Sequence, residues 1–82
     1  MTIMETSNSS VAILPGGTVL YEYENERVSS VEVHQPYGLS PERVRAIHEA
    51  IDEHIALDYK LIQESYAFNG RVHIKKWKVI YE

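Results

Sequence analysis

Two histidine–carboxylate pairs are the residues of this chain best spaced to do chemistry. His48 precedes Asp52 by four residues, and His54 precedes Asp58 by the same interval. On a helix this spacing puts both members of a pair on one face, where a carboxylate can orient an imidazole for proton transfer or metal binding. Most pairs with this spacing are solvated surface pairs, however, and His48 and His54 are six residues apart, so their rings do not converge on one metal.

Other catalytic and ligand-binding motifs are missing from the sequence. The chain has no glycine loop of the phosphate-binding type and no Glu-x-x-His pair of the di-iron type. A pocket with several convergent polar groups is also hard to build on one helix and a small sheet. We therefore predict that the protein is not an enzyme, and that it has no catalytic residue, no cofactor and no metal site.

The final fourteen residues, NGRVHIKKWKVIYE, interleave cations with aromatic rings. This combination is typical of surfaces that bind nucleic acids. The residues that would carry such binding are Arg71, His73, Lys75, Lys76 and Lys78. We favour a structural interpretation, in which these cations pair across strands with glutamates of a preceding hairpin, and Trp77 and Tyr81 belong to the core. Nucleic-acid binding remains the alternative function.

Length and composition describe a small acidic domain. The chain has 82 residues, of which 12 are acidic and 8 are basic, so its net charge is −4. Residues 1–64 contain eleven acidic and four basic residues, a net charge of −7, whereas residues 65–82 contain one acidic and four basic residues, a net charge of +3.

The sequence contains no cysteine, so neither a disulfide nor a thiolate metal site can stabilise so short a chain. Oligomerisation is the remaining common way to stabilise a domain of this size. The start of the sequence lacks the features of a signal peptide, and we expect a cytoplasmic protein that does not bind membranes.

The first half of the chain predicts strands. We expect residues 1–10 to be flexible and residues 11–82 to form a single domain, beginning with a short extra strand at residues 11–14 and a Pro-Gly-Gly turn. A hairpin follows, with a three-residue loop at Asn25, Glu26 and Arg27. The pairs predicted by this register are Val19 with Val33, Tyr21 with Val31, and Tyr23 with Ser29.

A helix is predicted next. Ser40 is a suitable N-cap, and Pro41 suits the first helical position. The apolar residues recur at intervals of 3, 4, 4, 4, 3 and 4, at Val44, Ile47, Ile51, Ile55, Tyr59, Ile62 and Tyr66. This spacing favours one helix through residue 68, about 42 Å long and capped by Gly70. The alternative makes residues 59–68 a strand and Asn69-Gly70 a tight turn.

The alternation of apolar and polar residues is interrupted within the last predicted strand. Val72 and Ile74 share one parity, whereas Trp77 and the apolar residues after it share the other. A bulge at Lys75-Lys76 would bring all of these side chains to the helix. The predicted fold class is therefore α+β: a small antiparallel sheet of three to four strands, in ββαβ order, packed on one long helix.

A long helix with apolar residues beside its core stripe predicts an interface. The predicted partner-binding residues are Glu49, Ala50, Asp52, Glu53, Leu57 and Leu61. Because exposed apolar patches mark contact sites, we expect a homodimer or another protein to bind there. The predicted function is a non-catalytic protein-binding module, a small acidic dimeric regulator or inhibitor. By analogy of size and charge alone, this profile is compatible with mobile-element inhibitors such as anti-CRISPR proteins.

Overall fold

The computed structural model describes residues 8–82, which form five strands and one helix. In chain order the elements are β1 (Ser9–Leu14), β2 (Gly17–Glu24), β3 (Arg27–Pro36), α1 (Pro41–Ile55), β4 (Tyr59–Phe68) and β5 (Val72–Tyr81). The strands form one antiparallel sheet in the spatial order β1-β2-β3-β5-β4. The predicted class of three to four strands on one long helix is wrong, because the chain is mostly sheet and its helix is short.

The first three strands follow one another as neighbours in the sheet. The predicted extra strand is confirmed as β1, which already includes Ser9 and Ser10; residues 1–7 of the segment predicted to be flexible lie outside the described residues. At the β1–β2 turn Gly17 has a φ of 153°, and a Cβ added there would lie 2.4 Å from the carbonyl oxygen of His34. Only glycine lets the start of β2 approach β3 this closely.

The β2–β3 turn has two residues, so the predicted three-residue loop is wrong. Asn25 and Glu26 have φ angles of 55° and 65°, as a type I′ turn requires, and Arg27 already belongs to β3. A bulge between Glu22 and Tyr23 compensates for the shorter turn. The structure therefore confirms two predicted pairs, Val19 with Val33 and Tyr21 with Val31. The third is wrong, because Tyr23 pairs with Val28.

The helix begins as predicted but ends thirteen residues early. The Ser40 hydroxyl accepts a hydrogen bond from the backbone N–H of Arg43, and Pro41 opens the helix. Ala56 then adopts the left-handed conformation, with a φ of 53°, and its N–H donates to the carbonyl oxygen of Asp52 at 2.9 Å. This cap ends α1 at Ile55, so the predicted helix through residue 68 is wrong.

Residues 59–68 form the edge strand β4, which confirms the strand of the alternative prediction, whereas its two-residue turn is wrong, because Asn69, Gly70 and Arg71 all lie between β4 and β5. The side-chain oxygen of Asn69 accepts hydrogen bonds from the backbone N–H groups of Arg71 and Val72, at 2.9 and 2.8 Å. Gly70, with a φ of 94°, completes the turn that joins β4 to β5. The predicted role of Gly70 as a helix cap is therefore wrong.

The helix covers one face of the sheet, and we call the other the open face. β5 pairs with β3 without a register shift, so the predicted bulge at Lys75-Lys76 is wrong. His73, Lys75 and Trp77 consequently share the helix side of β5, whereas Ile74 and Lys76 lie on the open face. The bulge occurs instead in β4, between Gln63 and Ser65.

The core lies between α1 and the middle strands. Its buried residues are Val19, Tyr21, Val28, Val31, Val33, Ile47, Ile51, Ile55 and Val79. Trp77 and Tyr81 pack against this core and are partly buried, and the Tyr81 hydroxyl donates to the carbonyl oxygen of Val28 at 2.6 Å. α1 lies over β2, and residues 62–68 of β4 are all exposed, so the helix leaves a corner of the sheet uncovered.

Within residues 8–82, no helix is both long enough and apolar enough to cross a membrane.

Candidate functional site

Four rings gather at the uncovered corner of the sheet, and we call them the aromatic cluster: Tyr37, Tyr66, Phe68 and His73. The rings of Phe68 and His73 stack with their centroids 4.5 Å apart. The Tyr37 ring lies 5.6 Å from that of Phe68, and the Tyr66 hydroxyl is 2.6 Å from Nδ1 of His73. The three non-histidine rings are exposed: Tyr37 by 72%, Tyr66 by 50% and Phe68 by 42%.

Backbone hydrogen bonds place these rings together. Phe68 lies opposite His73 in the β4–β5 ladder, because Asn69 closes the turn between them. The N–H of Tyr37, in the loop after β3, donates to the carbonyl oxygen of Arg71 at 2.7 Å. Tyr66 and Phe68 are two residues apart and so share one side of β4, and the bulge before them turns both to the helix side of the sheet. The cluster is therefore fixed by three separate elements.

A cleft of 610 Å³ opens beside the cluster, and we call it the binding cleft. It is lined by Gln35, Pro36, Tyr37, Gly38, Leu39, Val44, Tyr66, His73 and Lys75. Its walls combine rings and aliphatic side chains with a few polar groups, as in most sites that bind ligands. Lys75 is the charged residue of this lining, and Arg71 lies in the adjoining turn. The cleft therefore favours a ligand that is apolar or aromatic with some negative charge.

Gln35 is the polar residue most deeply buried in the cleft wall. It is only 5% exposed, yet within residues 8–82 its carboxamide has no hydrogen-bond partner. Buried polar groups are nearly always paired, since leaving one unpaired costs about 1–3 kcal/mol. A carboxamide both donates and accepts, so a bound backbone amide or a similar group could satisfy it.

The predicted nucleic-acid residues are divided between the two faces of the sheet. His73 and Lys75 lie on the helix side with the aromatic cluster, and Arg71 is close to them in the turn. Lys76 and Lys78 lie on the open face, where Nζ of Lys76 is 3.8 Å from the Glu22 carboxylate. The structure does not form one continuous basic strip.

The predicted partner-binding residues do not form a helical face either. Glu49, Ala50, Asp52 and Glu53 lie on α1, and all are exposed except Ala50, which is half-buried. Leu57 follows the helix and is exposed, whereas Leu61 lies in β4 and packs against the core. Asp52 and Leu57 meet in a second, shallower cleft of 550 Å³.

Neither histidine of the helix is paired with its expected carboxylate. The His54 ring stacks on Tyr21, with 3.9 Å between centroids, and its Nε2 is 2.5 Å from the Tyr23 hydroxyl. The His48 ring meets the edge of Trp77, with 6.2 Å between centroids. Both residues are exposed, and their rings lie against aromatic side chains of the sheet. Within the part of the chain that the structure describes, no three His, Cys, Asp or Glu side chains group in a way that could hold a metal ion.

Asp52 instead accepts a hydrogen bond from the hydroxyl of Tyr59. Burial, together with this hydrogen bond and the negative charge of Asp52, raises the pKa of Tyr59 to about 12. The phenol therefore stays neutral at physiological pH and ties β4 to the end of the helix. This contact is structural and presents no reactive group.

Comparison with known proteins identified no relative of this chain. No protein-family model, no curated protein and no solved structure matches the chain. The aromatic cluster and the binding cleft are therefore the features of the chain that bear on its function.

Proposed function

We propose that this protein is a non-catalytic module that recognises another protein through the aromatic cluster and the binding cleft. The observation that carries the proposal is a group of three exposed rings, two of which, Tyr37 and Tyr66, line a cleft whose wall includes Gln35, a buried residue with no side-chain hydrogen-bond partner among residues 8–82. Tyrosine and other aromatic residues are enriched at the centres of protein interfaces, where they bury large areas with little loss of entropy. Contiguous exposed rings are uncommon elsewhere on a small protein.

The partner is expected to place an apolar or aromatic side chain in the cleft. Gln35 would pair with a polar group of the bound segment, and Lys75 would favour an acidic neighbour. Such a module acts by occupying a surface of its partner, as a small regulator or inhibitor does. That the protein is not an enzyme, and that it works in the cytoplasm, stay predictions.

A matched pair of variants tests the proposal. Phe68 and Leu57 are both exposed apolar residues, but Phe68 belongs to the aromatic cluster and Leu57 to the surface predicted from the sequence. A partner captured from the native host with the wild-type protein is purified, and its affinity for each variant is measured by calorimetry. Phe68→Ala should weaken binding by about 30-fold, as the loss of about 2 kcal/mol at an interface centre does. Leu57→Ala should change the affinity by less than about threefold.

The opposite result would contradict the proposal. If Leu57→Ala weakens binding and Phe68→Ala does not, the partner binds at the end of the helix, near Asp52 and Glu53. If neither variant changes the affinity, the partner binds elsewhere, and the aromatic cluster is a packing feature.

A second candidate function is binding of single-stranded nucleic acid at the same site. It is favoured by Lys75 in the cleft lining near the stacked rings of Phe68 and His73, on which bases can stack, and by the presence of Arg71 in the adjoining turn. Two cations predict weak binding that falls with a logarithmic salt slope of only about 1.4. Fluorescence anisotropy with labelled random single-stranded DNA and RNA, at several salt concentrations, separates the candidates. Micromolar binding at physiological salt that Lys75→Ala abolishes would favour the nucleic acid.

A further inference from the structure

The open face of the sheet has no layer packed on it in the described part of the chain. An antiparallel sheet can leave one face in water, but that face then normally carries polar side chains. Here branched aliphatic residues are scattered over it: Val11, Ile13, Leu20, Ile62, Ile74 and Ile80. Ile13 is 84% exposed, and Val11 and Ile62 are more than half exposed. Such a face is expected to be covered in solution.

The charges of the open face separate into two halves. Glu22 on β2 and Glu32 on β3 form an acidic half, in which the Glu32 carboxylate is 2.6 Å from the ring of His34. Lys76 and Lys78 on β5 form a basic half, and Lys60 on β4 lies beside them with its ammonium paired to the Glu82 carboxylate at 3.3 Å. The halves meet where Lys76 approaches Glu22 at 3.8 Å. Among residues 8–82, no carboxylate lies within 4 Å of the Lys78 ammonium.

The division of charge favours one of two ways in which the open faces of two copies of the chain could stack. If two copies meet face to face about a two-fold axis that runs along the strands, the acidic half of each lies over the basic half of the other. If the axis runs across the strands, glutamates lie over glutamates and lysines over lysines. Sheets packed face to face keep their strands within about 30° of one another, so the first arrangement is also compatible with ordinary sheet packing.

We infer that the open face binds a second copy of this chain, about a two-fold axis parallel to the strands. The contact is isologous, so every favourable charge pair occurs twice. The aliphatic residues between the charged rows supply its apolar contact. This inference does not depend on the proposed function, because the aromatic cluster lies on the other side of the sheet.

Two charge-reversed variants test the arrangement. Lys76→Glu with Lys78→Glu replaces the cations of β5 by carboxylates and leaves Lys60 as the cation of the former basic half, and Glu22→Lys with Glu32→Lys replaces the two glutamates of the acidic half by cations. Light scattering of the wild type at about 100 micromolar should give twice the 9.5 kDa of one chain. Each variant alone should give the mass of one chain, because like charges then face each other. An equimolar mixture of the two should return to the doubled mass.

Several outcomes would overturn the inference. A wild type with the mass of one chain excludes the dimer. Variants that stay dimeric alone, or a mixture that stays monomeric, exclude this face as the contact. Circular dichroism shows whether each variant is folded; if one is not, the single changes Lys78→Glu and Glu22→Lys, at exposed positions, replace it. Leu57→Asp should leave the mass doubled, and a monomeric mass for it would place the contact at the end of the helix instead.

Discussion

At the scale of single residues, Gln35 shows how stability and binding can oppose each other. Among residues 8–82 its buried carboxamide has no hydrogen-bond partner, and a buried carboxamide without a partner costs free energy of folding. A ligand that pairs with the carboxamide removes the penalty when it binds. Gln35→Met keeps the volume but deletes the polar group, and we expect it to raise the free energy of unfolding by about 1 kcal/mol.

The same substitution should weaken partner binding by about 10-fold or more, since a paired hydrogen bond is lost. Urea unfolding and calorimetry measure the two effects. Gln63→Met is the control, because Gln63 is an exposed residue of the same type on β4, and both quantities should stay nearly constant. If Gln35→Met destabilised the fold, its carboxamide would already have a partner in the free protein.

Tyr59 is expected to make stability depend on pH in the alkaline range. Its pKa is about 12 in the fold and about 10 in an unfolded chain, because burial and the bond to Asp52 favour the neutral phenol. The folded state therefore holds this proton more tightly. The resulting stability is complete below pH 10 and is lost as the pH rises from 10 through 12.

Comparison of the wild type with Tyr59→Phe isolates this effect. The urea midpoint of the variant should fall less between pH 9 and 11 than that of the wild type. Tyr37→Phe, at an exposed tyrosine, should behave as the wild type does. Parallel curves for all three proteins would show that the hydroxyl of Tyr59 is not held in the fold.

At the scale of elements, the sequence predicted the start of the helix correctly and its end wrongly, and both outcomes have local causes. Ser40 and Pro41 are strong start signals. The helix is ended by Ala56, which adopts the left-handed conformation. Glycine usually occupies such a position, so the residue type at 56 gave no signal that the helix would end there. Beyond it, the bulge after Gln63 interrupts the alternation of β4, and the remaining apolar spacing happens to match a helical period.

The candidate site was missed for the same reason. Phe68 and His73 lie on either side of the β4–β5 turn, but a two-residue turn at Asn69-Gly70 would have paired Phe68 with Arg71. The stacking of Phe68 on His73 therefore depends on the longer turn that the structure forms. Tyr37 belongs to a separate loop, and its place beside them depends on a hydrogen bond to Arg71 that local patterns do not encode. The pairing of β2 with β3 was predictable because strict alternation fixes the register around Val19 and Val33.

The unusual helix stop gives a prediction with a built-in control. Ala56→Gly should raise the free energy of unfolding by about 1 kcal/mol, because glycine adopts the left-handed conformation without strain. Ala50→Gly, inside α1, should lower it by about the same amount, because glycine is unfavourable in a helix interior. Thermal and urea unfolding check both signs. A loss of stability in both variants would mean that α1 continues past Ala56.

At the scale of the whole molecule, the sheet separates two surfaces of different chemistry. The helix side carries the aromatic cluster and the binding cleft, and the open face carries divided charge and aliphatic residues. Because distant sites act additively, we expect the two surfaces to be independent. Phe68→Ala should leave the mass in light scattering unchanged, and Lys78→Glu should leave the partner affinity of each chain unchanged. A change in either cross-measurement would show that the partner and the second copy compete for one surface.

The position of β5 between β3 and β4 has a consequence for how the chain folds. β1–β3 and β4–β5 are two units that short turns can close quickly. Their junction pairs Pro36 with Val72 across the intervening helix and strand, and such distant pairings form slowly because a long loop must close first. Until they form, β3 and β5 each present a bare edge, and the hairpin of one chain can add to the three-stranded unit of another. A newly made chain can therefore exchange strands with another chain until its own β3 and β5 have paired. The rate of that pairing, and not the strength of any one contact, sets the length of this period.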